Sequence, residues 1–104
     1  MAKIEVKFDY DKEADVLYIT FGSGEPSYCE EVDDILLVER GFTTNNITGF
    51  RILDVRHHKI QVVEVRISKI LRMLEEARLP FRTAYVDALK QKLEANRLKN
   101  MIYA

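Results

Sequence analysis

Apolar and polar residues alternate from the start of the chain. Ile4, Val6 and Phe8 fall on one side of an extended segment and Lys3, Glu5 and Lys7 on the other, so residues 3–8 read as a half-buried strand. Asp9 to Asp15 is a polar corner with room for one helical turn, where Asp9 or Asp11 can accept free backbone N–H groups. Val16 to Phe21, rich in β-branched and aromatic residues, predicts a second strand. Gly22-Ser23-Gly24-Glu25-Pro26 is a turn. A third strand is expected at about Ile35–Glu39, after the acidic patch Glu30, Glu31, Asp33 and Asp34. Gly41 to Asn46 turns the chain into a fourth strand, Ile47 to Val55. Connections this short favour an antiparallel meander.

Beyond Arg56-His57-His58-Lys59 two periodicities compete. Ile60, Val63, Ile67, Ile70, Leu71 and Leu74 fit a helical stripe, whereas Val63-Glu64-Val65-Arg66-Ile67 alternates like a strand. The density of β-branched residues lowers helix propensity and favours a fifth strand near 60–67. Ser68 then caps a helix to about Arg78, Pro80 interrupts it, and Thr83 caps a final helix from about Ala84 to Met101.

That final helix has two apolar faces. Val86, Leu89 and Leu93 share one, while Ala84, Ala88, Ala95, Leu98, Met101 and Ile102 gather roughly opposite. A helix packed on one sheet needs a single apolar face. The second implies a further surface to cover, so Val86, Leu89, Leu93, Leu98, Met101 and Ile102 are candidates for self-association or partner binding. Coverage of both faces by the chain's own body is the alternative.

Length and composition bound the rest. A chain of 104 residues is one domain, here a β body (1–59) with a mostly helical tail (60–104). Hydrophobic content of 47% and charged content of 32% are ordinary for a globular protein. No apolar run approaches the ~20 residues of a membrane span, and Met1-Ala2-Lys3-Ile4-Glu5 lacks a signal peptide's apolar stretch. The single cysteine, Cys29, excludes an internal disulfide, fits a reducing cytoplasm and reads as a half-buried small side chain. Net charge is −1 but uneven: residues 1–59 carry 7 Lys/Arg against 12 Asp/Glu, and residues 60–104 carry 9 against 5. An acidic body with a basic tail can attract further copies or an acidic partner.

Tyr10-Asp11-Lys12-Glu13-Ala14-Asp15-Val16-Leu17-Tyr18-Ile19 closely resembles the opening of the YuzE-like family, small bacterial and archaeal domains of unknown function. Glu30-Glu31-Val32-Asp33-Asp34, Ile35-Leu36-Leu37-Val38 and Ile47-Thr48-Gly49-Phe50-Arg51-Ile52-Leu53 resemble the rest of its pattern, over about residues 3–55. The resemblance implies a compact β-rich domain without an established activity. Some relatives are encoded beside small toxin-like proteins, which implies an antitoxin-like role as one possibility. Residues 56–104 lie outside the resemblance.

Few constellations carry chemistry. Asp9-x-Asp11-x-Glu13-x-Asp15 has the alternating oxygens that open a calcium loop, but Ala14 stands where the loop needs glycine and Thr20 where it needs a bidentate glutamate. Asp9, Asp11 and Asp15 are therefore expected to set the corner's backbone, not to bind metal. His57 and His58 are adjacent, and on an extended chain adjacent side chains point apart. They read as a surface turn, with a pH-sensitive or antitoxin-like contact as the alternative. No Gly-x-Ser-x-Gly elbow or phosphate loop is present, so no catalytic residue and no cofactor is expected. Arg66, Lys69, Arg72, Arg78, Arg82, Lys90, Lys92, Arg97 and Lys99, with Tyr85 and Tyr103, offer a basic surface for nucleic acid. An isoelectric point near 6.1 and the missing recognition motifs oppose it. The expectation is thus an α+β domain: an antiparallel sheet of four or five strands with C-terminal helices on one face. It is expected to act as a non-enzymatic interaction module, self-associating through its last helix.

Overall fold

Period-two alternation does build the first half of the chain, as the computed structural model shows for residues 5–22, 25–77, 82–96 and 102. The strands are β1 (Val6–Asp11), β2 (Val16–Phe21), β3 (Ser27–Glu31), β4 (Leu36–Gly41) and β5 (Ile47–Leu53). They form one antiparallel sheet in the order β1-β2-β5-β4-β3. Strands β3, β4 and β5 follow one another as a meander, but β2 pairs with β5. The connection after Phe21 therefore carries the chain across the sheet to its far edge, a Greek-key arrangement. Local patterning cannot report this, because it specifies which face of a strand is buried and not which strand lies alongside.

Two expectations are corrected. The fifth strand is Ser27–Glu31, not 60–67. Ser27-Tyr28-Cys29-Glu30-Glu31 escaped notice because it is an edge strand with no fully buried side chain. Its acids, part of the acidic patch, suit an edge that must resist pairing with other chains. Residues 60–67 belong to helix α1 (Ile60–Glu76), which buries Val63, Ile67, Ile70 and Leu74. A strand would have placed Val65 with Val63 and Ile67, yet Val65 is 52% exposed. Burial of a whole stripe outweighs the small propensity cost of β-branched residues. Ser68 caps nothing: it lies inside α1 and its hydroxyl donates to the Glu64 carbonyl at 3.1 Å. Helix α2 spans Arg82–Asn96, so Thr83 sits within it, and Pro80 lies outside the described residues.

Both helices pack on one face of the sheet. Leu17, Ile19 and Phe21 of β2, Leu36 and Val38 of β4, and Phe50 and Ile52 of β5 join the α1 stripe, Val86 and Leu89 of α2, and Ile102 in one core. Phe21 sets its ring edge-on to Phe50 and Tyr85, at centroid distances of 6.2 and 5.1 Å. The α+β class and the five-stranded antiparallel sheet with C-terminal helices against it are as expected from sequence.

Candidate functional site

The β1–β2 corner places one carboxylate where three parts of the chain meet. Asp11 closes β1, and its Oδ1 accepts the backbone N–H groups of Glu13 and Ala14 at 3.0 and 3.1 Å. Asp15 follows in the left-handed region, with φ of 57°, a conformation aspartate tolerates better than most residues. That backbone sends its side chain inward, leaving it 8% exposed. The Tyr10 hydroxyl donates to Asp15 Oδ1 at 2.6 Å. The Arg56 N–H donates to both carboxylate oxygens, at 2.9 and 3.2 Å. His57 Nδ1 lies 2.7 Å from Oδ2. Asp54, also left-handed with φ of 53°, turns the chain out of β5 so that Val55–His57 forms a short 3₁₀ turn over Asp15. Asp9 lies exposed on β1 and takes no part in these bonds, a correction to its grouping with Asp11 and Asp15.

Burial favours protonation of Asp15, but the donors Tyr10, Arg56 N–H and His57, together with the His57 charge, outweigh it and hold the carboxyl below its ordinary value. Burial, then the hydrogen bond to Asp15 and its charge, push the Tyr10 phenol up to about 12, against an opposing Arg56. An ionised Asp15 accepts from His57 Nδ1, and the His57 side chain is otherwise 76% exposed. Asp15, Asp54 and His57 also bring one potential ligand atom each to within 4.8 Å of one another.

Residues 7–56 match the family model described as "Protein of unknown function (DUF2283)". They form a DUF2283 domain of the YuzE-like family. Comparison with curated proteins and with solved structures gave no match. The DUF2283 segment thus contains β2 to β5 and all of β1 but Val6, together with Asp15 and its Tyr10 and Arg56 donors, and stops one residue short of His57. Helices α1 and α2 follow it.

A second anchor joins the DUF2283 sheet to those helices. Asp33 Oδ1 accepts the N–H groups of Ile35 and Leu36 at 3.0 and 2.9 Å. Its Oδ2 accepts from Lys69 of α1 at 2.7 Å and lies 3.3 Å from Arg66 Nε. Arg66 also donates to Asp34 at 3.2 Å. Burial opposes ionisation, but Lys69, the two backbone donors and Arg66 lower the Asp33 carboxyl to about 2. Part of the charge complementarity between body and tail is therefore satisfied inside one chain.

The sheet's other face carries the remaining candidate surface. One row crosses it through Glu31, Leu37, Arg51, Tyr18 and Asp9 on neighbouring strands. Arg51 donates to Glu39 at 3.0 and 2.7 Å and stacks over the Tyr18 ring at 5.1 Å. Val16 and Leu37 are half-buried there. Cys29, read as half-buried, is an exposed residue; slight desolvation of its thiol, and the neighbouring Glu39, raise its pKa against the opposing Arg51.

Four of the six residues expected to take part in self-association lie in the described structure. Val86, Leu89 and Ile102 are 7%, 0% and 1% exposed within a single chain, and Leu93 packs against the same core. Val86, Leu89 and Ile102 are thus spent on the chain's own core and offer no surface to another copy. Leu98 and Met101 lie outside the described residues.

Proposed function

We propose that this DUF2283 protein is a non-enzymatic interaction module that pairs with a second copy of itself through the sheet face its helices leave open. One observation carries the reading: both helices cover one face, while the other presents half-buried Val16, Leu37 and Tyr18 around the Arg51–Glu39 pair. Half-buried apolar groups ringed by charge are typical of surfaces used in association. The Asp15–His57 pair does not by itself favour an enzyme, since no serine or cysteine hydrogen-bonds to His57 among the described residues. Nucleic acid is disfavoured further by the pairing of Arg66 and Lys69 with Asp33 and Asp34, which removes cations from the phosphate-binding set.

Sedimentation of the purified protein is the test. A dimer is expected at micromolar concentration. Leu37→Glu is expected to yield monomers with an unchanged circular dichroism spectrum, and Val65→Glu, on the outer side of α1, is expected to remain dimeric. A wild-type monomer overturns self-association and leaves the open face to a small protein partner, the antitoxin-like reading.

A further inference from the structure

We propose that Asp15, Asp54 and His57 form a binding site for a hydrated first-row divalent cation. The donor set is mixed, one imidazole nitrogen and two carboxylates, the chemistry that suits zinc or manganese better than magnesium. Sequence alone does not suggest it, because Asp15 lies some forty residues from its partners and the fold brings them together.

The existing hydrogen bonds prepare the site. Asp15 Oδ1 is held by Tyr10 and by the Arg56 N–H, which fixes the carboxylate as outer-shell donors fix metal ligands. Its Oδ2 faces His57 Nδ1 at 2.7 Å with a proton between them. Two donors at that separation, each about 2.1 Å from a metal, subtend about 80°, close to the angle between neighbouring ligands in an octahedron. A cation takes the place of the Nδ1 proton: that proton moves through solvent to Nε2, so that His57 ligates as a neutral imidazole through Nδ1, and both Oδ1 contacts stay intact. The Asp54 carboxylate has no hydrogen-bond or ion-pair partner among the described residues and is exposed, so it is free to swing onto the ion. Three protein ligands leave the remaining positions to water, and exposed His57 and Asp54 give the ion an open route. Arg56 on the Tyr10 side opposes a cation, so an exchangeable ion is expected.

The test is titration of the full chain with zinc, manganese or magnesium chloride, followed by melting temperature and by the NMR signals of the two imidazole rings. Zinc is expected to raise the melting temperature saturably, with manganese weaker and magnesium weakest, and to shift the His57 ring but not His58. Asp15→Asn strikes the corner's own structure, so the informative variants are His57→Asn and Asp54→Asn. Asparagine at 57 keeps an N–H donor near the Nδ1 position while removing the ligand. Each is expected to weaken zinc at least tenfold with an unchanged apo spectrum, whereas Asp9→Asn on β1 leaves zinc binding unaltered. No saturable response below millimolar zinc, an equal response in His57→Asn, or a shift confined to His58 overturns the proposal.

Discussion

Asp33 illustrates how much one half-buried carboxylate carries. It closes the turn before β4 and ties that turn to α1 through Lys69 and Arg66. Its folded pKa of about 2 lies below the unfolded value of about 3.9. The resulting stability is fully present above the unfolded pKa and is lost as pH falls through the folded one. A difference of this size corresponds to at most about 2–3 kcal/mol. Asp33→Asn is expected to lower stability at pH 7 and to flatten the acid limb of a denaturation profile between about pH 5 and 2; an unchanged limb refutes this anchor. Thr48 works in the opposite direction. Between Glu39 and Arg40 the register slips, so Gly49 and Ile47 have partners across β4 and Thr48 does not. Its hydroxyl is buried without a hydrogen-bond partner among the described residues. Thr48→Val, nearly isosteric, is expected to raise stability by about 1 kcal/mol in urea unfolding.

At the scale of elements, α1 joins the DUF2283 sheet to the rest of the chain. Its inner stripe is buried and its outer side holds Val65. Ile70, fully buried, is expected to cost about 2–5 kcal/mol on truncation to alanine, measured by chemical denaturation. Val65→Ala is expected to lie within about 0.5 kcal/mol of wild type. Equal effects of the two changes are incompatible with the helical register described. The strand reading of 60–67 rested on β-branched density, a preference worth tenths of a kcal/mol per residue. The buried stripe is worth several times more, and it was visible as the competing periodicity.

For the molecule as a whole, the proposed association turns on the sheet face that the described residues leave uncovered and on the sharing of charge. Because Asp33 and Asp34 already meet Arg66 and Lys69 within one chain, the proposed pairing of two copies would rest mainly on apolar contact around Leu37, Tyr18 and Val16. The dimer is accordingly expected to persist in 0.5 M salt, where exposed charges are screened, as read by sedimentation. Dissociation by salt alone contradicts an apolar interface.

What the sequence determined by itself was local and periodic. Val16–Phe21 matched its predicted strand residue for residue, since strict alternation of buried side chains has only one extended reading. Asp11 was legible as a donor's partner because a short carboxylate at a corner has free N–H groups within reach. The DUF2283 pattern lay in the same stretch. Only the tertiary structure placed β2 beside β5, made Ser27–Glu31 an edge strand, and turned Val86, Leu89 and Ile102 inward. It alone joined Asp15 to Asp54 and His57. Each of these depends on which segments meet across long stretches of chain, and spacing along the chain encodes faces and turns but not neighbours.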